Sequence, residues 1–427
     1  MREMKDSGIE WIGQIPKDWS LKKGRYLFVQ RNDRGNDENL QLLSPSQKFG
    51  VIPQSLLEDL TTQTAVKLKE NTDLSTLKTV HKGDFCISLR SFQGGFEYSE
   101  YEGVVSPAYQ IFYKKEDLVN TYYKYIFKDS SFISKMNSYT MSLRDGKNIS
   151  YFDFGNTYLP LPTVCEQQQI ADFLDTKCFE IDATAEDIQK EIALLEEYKK
   201  SLVYNVISNG INHSIYSTEN DEVWGNLPQG WKLVDIKYLF EIVKRIAGKE
   251  GYDVLSVTQK GLKIKDIISG DGQLADNYCG YQFVYPTDYV MNHMDLLTGW
   301  VDCSELFGVT SPDYRVFRLI DRSAHNLVYY KYVMQCCYMN KIFYSLGQGV
   351  SNLGRWRLQT SSFNNFQVPV PPKDEQDEIA DYLDTKCSEI DTLIADKKRQ
   401  LDILADYKKS LIYEYVTGKK EVPVKDF

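Results

Sequence analysis

The sequence predicts a mixed α/β protein of the α+β class, built from two pseudo-symmetric halves that each combine a globular block with a long helix. Residues 166–207 and 375–416 align without a gap at an offset of 209, and 21 of their 42 pairs are identical. Each segment follows a block of about 130–140 residues that is rich in Tyr, Phe and Gly. A period near half the chain indicates duplication of a large module, and a two-fold protein suits a bipartite target.

The repeat extends into the globular blocks through short shared motifs. Pro16 and Trp19 match Pro228 and Trp231 at an offset of 212. A Ser-Pro-x-Tyr motif and a Pro-rich strip also recur, at offsets of 205 and 209. Because the offset drifts, insertions and deletions lie in the loops between these motifs. Loops that diverge on a common scaffold are the usual place for recognition.

These matches divide the chain into six segments. They are an N-terminal segment 1–17, a first block 18–158, a central region with a long helix 159–213, a linker 214–229, a second block 230–366, and a C-terminal helix and tail 367–427. Short apolar runs at 84–89 and 253–257 predict strands within the blocks. Residues 118–127 and 328–339 have helical periodicity. The blocks are therefore expected to mix short strands with helices.

The repeated segments predict a coiled coil. Neither contains Pro or Gly, and their apolar residues recur in steps of three and four, which is a heptad pattern. The seam comprises Leu174, Cys178, Ile181, Ile188, Ile192, Leu195 and Leu202 in the first helix, and Leu383, Cys387, Ile390, Ile394, Leu401, Leu404 and Leu411 in the second. Each helix would be roughly 60 Å long. Tandem halves regain a two-fold relation when the helices are antiparallel. The alternative is that each helix packs only on its own block.

Lysines interrupt this seam, and glycines follow it. Lys199 and Lys408 occupy equivalent seam positions, and Lys397 interrupts the second helix. Buried lysines weaken a coiled coil but can fix its register; an interface open at that end is the alternative. Gly210 and Gly418 stand where a C-terminal glycine is expected to end each helix.

The net charge of −10 is unevenly distributed. Residues 159–229 sum to −9 and residues 367–427 to −4, whereas the blocks 18–158 and 230–366 sum to +1 and +2. The acidity therefore lies in the helical segments. The near-neutral blocks could hold local basic faces that suit a nucleic acid.

Composition also indicates a compartment. No apolar run approaches the length of a membrane helix, and the N-terminus lacks the apolar stretch of a signal peptide. The eight cysteines form no CxxC pair, which favours reduced thiols and a cytoplasmic location. Cys178 and Cys387 are equivalent in the repeat and are expected to be small buried residues rather than reactive thiols.

Familiar catalytic motifs are missing from the sequence. It contains no P-loop, no Asn/Asp-Pro-Pro-Tyr/Phe signature of amino-methyltransferases and no Gly-x-Ser-x-Gly elbow. The four histidines lie far apart and lack partners at zinc spacing. We therefore expect no catalytic residue and no metal site in this chain.

Polar and basic residues in Gly-rich loops are the candidate contacts to DNA. They are Arg90, Gln93, Arg144 and Lys147 in the first block, and Gln348, Ser351, Asn352, Arg355 and Arg357 in the second. Arg can bond guanine and Gln or Asn can bond adenine, while Lys and Ser hold phosphates. The alternative is that these loops are ordinary turns, with Arg355 paired to a carboxylate and Trp356 in the core.

The chain resembles the DNA-specificity subunit of type I restriction–modification systems. The resemblance covers the whole chain and rests on residues 8–19 (GIEWIGQIPKDW), on the two Pro-rich strips followed by Glu-Gln and Ile-Ala-Asp-Phe/Tyr-Leu-Asp, and on the two Tyr-Lys-Lys-Ser-Leu helix ends. It implies two target-recognition domains, each reading half of a split double-stranded DNA sequence. These domains would be separated by two long antiparallel coiled-coil helices that dock two methyltransferase subunits.

The resemblance also sets expectations for partners and cofactors. Two restriction (motor-nuclease) subunits would join for cleavage. No cofactor is expected in this subunit, since S-adenosylmethionine, ATP and Mg would belong to the partner subunits. A duplicated protein–protein scaffold without DNA binding, and an enzyme with an unrecognised site, are the competing interpretations. Recognition domains vary within the family, so the resemblance assigns no base contact.

Overall fold

The computed structural model describes residues 2–35, 40–61, 76–87, 95–115, 117–139, 149–212, 216, 220–266, 277–349 and 356–423. The chain mixes helices and strands, as the sequence predicts, and divides into two compact units. Unit 1 consists of Met1–Ile188 and Arg399–Phe427, and unit 2 of Gln189–Lys398. Each unit therefore contains one globular block and a part of each long helix.

The elements of the first block precede the first long helix. The strands are β1 Met4–Asp6, β2 Gln14–Pro16, β3 Ser20–Lys23, β4 Phe28–Arg31, β5 Leu43–Ser46, β6 Gly50–Pro53, β7 Lys78–Val80, β8 Phe85–Ile87, β9 Phe96–Tyr98, β10 Gly103–Val105, β11 Gln110–Lys114 and β12 Tyr158–Leu161. The helices are α1 Gly24–Leu27, α2 Gln54–Leu60, α3 Asn120–Ile126, α4 Ser130–Ser138, α5 Tyr151–Asn156 and the long α6 Val164–Asn209. The predicted boundary between residues 158 and 159 falls inside β12.

The second block repeats this order. Its strands are β13 Lys232–Asp235, β14 Phe240–Val243, β15 Leu255–Thr258, β16 Gly261–Ile264, β17 Gln282–Val284, β18 Tyr289–Met291, β19 Val301–Cys303, β20 Gly308–Thr310, β21 Arg315–Leu319 and β22 Gln367–Val370. Its helices are α7 Ile236–Leu239, α8 Leu327–Met339, α9 Ile342–Ser345, α10 Thr360–Asn364 and the long α11 Lys373–Val416. The strand predicted at 253–257 and the helix predicted at 328–339 correspond to β15 and α8.

Both blocks have the same sheet topology. A four-stranded antiparallel sheet has the order β4-β11-β8-β9 in unit 1 and β14-β21-β18-β19 in unit 2. In each block the strand after the Pro-x-x-Trp motif pairs with the Pro-rich strip, as β3 with β12 and β13 with β22. The remaining described strands form two-stranded pairs. The duplication therefore preserves the pairing as well as the sequence motifs.

Aromatic rings fill the core beneath each sheet in an equivalent arrangement. Phe85 stacks on Phe112 at a centroid distance of 5.3 Å in unit 1. Tyr289 stacks on Phe317 at 5.3 Å in unit 2. Phe28 and Phe240 meet these stacks edge-on, which is a favoured aromatic geometry. The Tyr and Phe content of the blocks is thus explained by two aromatic cores.

The long helices end at their glycines, and their seam residues are largely buried. Gly210 and Gly418 have φ angles of +70° and +72°, a conformation that glycine adopts without strain and that closes a helix. Ten of the fourteen seam residues are buried, while Leu195, Leu202, Leu401 and Leu404 are half-buried. Leu174 and Cys178 share one core cluster with the first block and with the end of α11. The seam residues of unit 1 therefore pack against both the globular block and the opposite helix.

Within each unit the two helices run antiparallel. In unit 2 Lys199 contacts Asp391 and Lys397 contacts Glu191, so that one residue number rises as the other falls. In unit 1 the ring centroids of Phe173 and Tyr415 lie 4.5 Å apart, and Lys408 contacts Asp182. The antiparallel arrangement predicted from the tandem repeat is confirmed inside each unit.

The seam lysines are paired with the opposite helix rather than left unpaired. Lys199 Nζ lies 2.7 Å from Asp391 Oδ2, and Lys408 Nζ lies 2.6 Å from Asp182 Oδ1. These two pairs are equivalent at the repeat offset of 209. Each lysine keeps part of its side chain in contact with solvent, so the pairs contribute little stability. Their value is in matching the register of the helices.

The Glu-Gln motif that opens each long helix connects the helix to its block. Trp19 Nε1 donates to Glu166 Oε2 at 2.9 Å. The buried Gln167 accepts from the Val119 backbone N–H at 2.9 Å and donates to the Pro162 carbonyl at 3.0 Å. We call this set the Glu-Gln clamp.

Unit 2 contains the same clamp. Trp231 Nε1 donates to Glu375 at 2.8 Å. Gln376 accepts from the Asn326 N–H and donates to the Pro371 carbonyl, both at 2.9 Å. The clamp therefore ties three parts of each block to one helix end: the entry Trp, the start of a helix and the Pro-rich strip.

All eight cysteines are free thiols, and Cys178 and Cys387 are buried as expected. Burial raises the pKa of both thiols, which disfavours the reactive thiolate. Among the described residues no helix is long and apolar enough to cross a membrane.

One buried carboxyl group in unit 1 links stability to pH. Glu97 in β9 is 2% exposed, and its Oε2 lies 2.6 Å from Lys128 Nζ. Burial raises the pKa of Glu97 from 4.5 to about 7, although the lysine opposes this shift. The folded chain therefore holds this proton more tightly than the unfolded chain does.

We expect Glu97→Gln to remove one pH-dependent contribution to stability. With a raised folded pKa, this contribution is fully present below about pH 4.5 and is lost as the pH rises through about 7. The parent should lose up to about 3 kcal/mol of unfolding free energy from this group over that range. Chemical denaturation at several pH values measures the effect, with Glu100→Gln at an exposed neighbouring position as control. Parallel pH profiles for the parent and Glu97→Gln would contradict the assignment.

Candidate nucleic-acid interface

The residues that flank the predicted contact loops lie at one end of the strands of the four-stranded sheet in each unit. We call this end of the strands the sheet edge. In unit 1 Gln110 of β11 pairs with Ile87, the last residue of β8. The Gln110 side chain donates to the Ile149 carbonyl at 3.2 Å and accepts from the Tyr151 N–H at 2.6 Å. The residues that precede segment 88–94 and follow segment 140–148 therefore meet at Gln110. Arg90, Gln93, Arg144 and Lys147 lie in those segments, outside the described residues.

The equivalent edge of unit 2 is organised around Arg315. Arg315 follows the Ser-Pro-x-Tyr motif, as Gln110 does, and pairs with Met291 at the end of β18. Its guanidinium donates to the Leu358 carbonyl at 3.1 Å and to Thr360 Oγ1 at 3.3 Å. Leu358 and Thr360 are the repeat equivalents of Ile149 and Tyr151. Both units thus use one side chain at the start of the central strand to hold the chain that returns from a loop.

Two of the candidate residues in unit 2 lie side by side. The backbones of Gln348 and Arg357 exchange N–H···O bonds of 3.0 and 3.1 Å. Both residues are exposed, so their side chains are available to a ligand. Ser351, Asn352 and Arg355 fall within 350–355, outside the described residues. The structure therefore brings together only the two ends of this predicted contact loop.

Trp356 is a packing residue in this arrangement. It is half-buried against the core of unit 2, with its ring centroid 5.0 Å from that of Tyr344. A Cβ atom on Gly349 would lie 3.1 Å from the Trp356 ring. Gly349 belongs to one of the Gly-rich loops that the sequence predicts as DNA contacts. In the structure Gly349 instead makes room for the indole.

Basic groups gather at this edge of unit 2. Arg315 is 4% exposed and His293 is 8% exposed. Desolvation, together with the nearby Arg315 and Arg357, lowers the pKa of His293 to about 4. Desolvation also lowers the pKa of Arg315 to about 10, so its guanidinium stays charged at neutral pH. Desolvation is the larger cause of both shifts, and the positive charge of Arg357 adds to each.

Two other arginines of the central sheets are structural. Arg31 Nε lies 2.8 Å from Asp84 Oδ2 in unit 1, and Arg245 Nη2 lies 2.9 Å from Asp288 Oδ2 in unit 2. Both carboxylates are buried, and each also accepts a backbone N–H, from His81 or Tyr285. These arginines are engaged within their own units. They are therefore poor candidates for contact with a nucleic acid.

In the described part of the chain, no three or more His, Cys, Asp or Glu residues lie close enough together to hold a metal ion. Sequence reasoning did not identify Gln110 and Arg315 as loop-holding residues. Their position directly after the Ser-Pro-x-Tyr motif was the available signal.

The chain is similar to a curated protein and to two solved structures. A curated relative, the type I restriction enzyme MjaVIII specificity subunit of Methanocaldococcus jannaschii, is 22% identical over 437 positions and covers 96% of this chain and 94% of its own. A chain solved in work on complex assembly and conformational transition of the type I R-M system aligns with a TM-score of 0.68 and 13% identity, over 95% of this chain and 99% of its own. The HsdS subunit from Thermoanaerobacter tengcongensis aligns with a TM-score of 0.51 and 13% identity, over 98% and 100%. At this identity the two structures show a shared fold.

The family model is the most specific of these matches. The model for the type I restriction modification DNA specificity domain matches twice, over residues 15–197 and 228–402. Each match contains one globular block, its Glu-Gln clamp and the first part of a long helix. The chain therefore belongs to the family of DNA specificity subunits of type I restriction–modification systems.

Proposed function

We propose that each unit reads one half of a bipartite double-stranded DNA target and that the chain itself performs no catalysis. The observation that carries this proposal is that both units have the same arrangement at the sheet edge. Gln110 in unit 1 and Arg315 in unit 2 each hydrogen-bond to the residues that follow a divergent loop. The scaffold beneath the two edges is the same, whereas the loop sequences differ. Equal scaffolds with different loops suit two half-sites of different sequence.

The partners follow from the same proposal. Two methyltransferase subunits and two restriction subunits assemble with the chain. S-adenosylmethionine, ATP and Mg are supplied by those subunits, and this chain holds no cofactor. The long helices set the number of unread base pairs between the half-sites and provide the docking surfaces for the methyltransferase subunits.

Exposed apolar side chains at equivalent positions support two docking surfaces. Leu194 and Tyr198 on α6 are 69% and 57% exposed, and their repeat equivalents Ile403 and Tyr407 on α11 are 61% and 53% exposed. In unit 2, Leu194, Leu195, Tyr198 and Leu393 line one shallow apolar surface with Glu191 and Lys397 at its rim. Apolar side chains that lie together on an acidic helical surface commonly mark a protein interface. Two equivalent surfaces suit two copies of one partner.

Exchange of the first block tests the bipartite reading. Residues 17–162 are replaced by the equivalent segment of another family member, with junctions outside β12 so that the β3–β12 pair is transferred intact. We expect one half of the methylated sequence to change and the other half to remain, since unit 2 keeps its own sheet and loops. Methylome sequencing of a host that expresses the complex gives the result. A change in both halves would contradict modular reading.

Substitution of the exposed apolar residues tests the docking surfaces. Leu194→Glu and Ile403→Glu should each remove one methyltransferase subunit, and the double variant should remove both. A central interface residue of this kind contributes about 2 kcal/mol or more, while an exposed substitution changes folding stability by about 0.5 kcal/mol or less. Native mass spectrometry measures the stoichiometry of each complex.

Ala193→Glu is the matched control for this test. Ala193 is exposed beside Leu194, and the equivalent position in α11 is the acidic Asp402, so that a carboxylate is tolerated there. The control should keep both methyltransferase subunits. Equal loss of partner in Ala193→Glu and Leu194→Glu would show that charge alone, and not the apolar surface, decides binding.

A further inference from the structure

Among the described residues, unit 2 contains a buried arginine, Arg315, that has no carboxylate partner. All the described partners of the Arg315 guanidinium are neutral. They are the Leu358 carbonyl, Thr360 Oγ1, Met291 Sδ at 3.8 Å and the Phe363 ring, whose centroid lies 4.5 Å from Cζ. A buried charge is costly unless it is paired. The neutral partners accept hydrogen bonds from the two Nη groups of Arg315 but leave its charge uncompensated.

A residue at the position of Arg315 does not need a charge to hold the returning chain. Gln110 is the equivalent residue in unit 1, and it holds the equivalent loop return through Ile149 and Tyr151. A neutral amide therefore suffices to fasten the chain to the sheet edge. The charge of Arg315 is an addition that packing alone does not explain.

Arg357 and His293 lie near Arg315 in the same unit. The exposed Arg357 makes no ion pair with any described residue. It also lies near enough to Arg315 and His293 to act on the pKa of each. His293 is nine-tenths buried, and its Nδ1 has no hydrogen-bond partner among the described residues.

We propose that Arg357 binds a backbone phosphate of DNA in unit 2, with the guanidinium of Arg315 and the imidazole of His293 beside it. The site rests on the proposed DNA-reading function. Arg357 contacts the phosphate, because its side chain is exposed. Arg315 is a positioning residue that holds the Leu358 carbonyl beside Arg357 and adds positive potential from behind. A phosphate contact fixes the position of a protein on the duplex without reading its sequence.

The test measures DNA binding by the chain assembled with its methyltransferase subunits. Two duplexes are used, one with the sequence that the complex methylates and one unrelated. We expect Arg357→Gln to weaken binding to both duplexes by about tenfold, the value of one charge-assisted hydrogen bond. The slope of log K against log salt should fall by about one. Loss confined to one base pair of the target would overturn the proposal in favour of base reading.

Arg315→Gln separates charge from packing, because it installs the residue that unit 1 already uses at this position. We expect it to weaken binding to both duplexes and to lower the salt slope. The slope does not depend on the fraction of active protein, so it remains informative if the variant is less stable. Arg318→Gln is the control, since Arg318 lies in the same strand but is exposed and paired with Glu241. It should bind DNA like the parent.

DNA binding by the parent complex distinguishes failure of the phosphate site from failure of the proposed function. If the parent binds its methylated sequence with a steep salt dependence while Arg357→Gln and Arg315→Gln match it in affinity and slope, the phosphate site is wrong and the proposed function stands. If the parent complex shows no salt-dependent binding to duplex DNA, the proposed function itself fails.

Discussion

The Glu-Gln clamp is the interaction on which the architecture of each unit depends. A single glutamine, fully buried in both units, supplies the acceptor for the first turn of a block helix and the donor for the Pro-rich strip. The adjacent glutamate holds the indole of the entry tryptophan. Because an unpaired buried polar group costs about 1–3 kcal/mol, each clamp strongly favours one placement of the block on its helix. A recognition surface carried by the block then has a defined position relative to the helix that supports it.

The two units share the same scaffold but differ in the side chains at the sheet edge. The sheet order, the aromatic stack, the clamp and the pairs Asp182–Lys408 and Asp391–Lys199 are repeated with nearly the same distances. The side chains at the loop-bearing edge differ, as Gln110 and Arg315 show. A change from a neutral to a charged residue at one position leaves the fastening of the loop intact but alters the local potential. Such changes let two copies of one scaffold present different local charges at equivalent positions.

The sequence predicted the parts of the structure that depend on local pattern. Heptad spacing and terminal glycines gave the long helices, and their antiparallel course followed from the tandem repeat. The partners of the Glu-Gln motif could not be predicted, because Val119 and Trp19 lie 48 and 147 residues away from it. Trp356 and Gly349 were placed in a contact loop on composition, whereas in the structure the half-buried Trp356 packs against the core of unit 2 and the exposed Gly349 lies beside its ring. Of the nine candidate contact residues, only Gln348 and Arg357 lie in the described part of the chain, and the roles of all nine stay predictions.

The Glu-Gln clamp fixes each block on its helix. Two adjacent glutamines in α6 allow the contribution of the clamp to the unfolding free energy to be measured. Gln167 is fully buried and Gln168 is exposed. Chemical denaturation of the full chain compares Gln167→Leu with Gln168→Leu. The account predicts that Gln167→Leu loses about 2–4 kcal/mol of unfolding free energy, since the Val119 N–H and the Pro162 carbonyl are both left without a partner. Gln168→Leu should stay within about 0.5 kcal/mol of the parent. Equal unfolding free energies for the two variants would contradict the central role of the clamp.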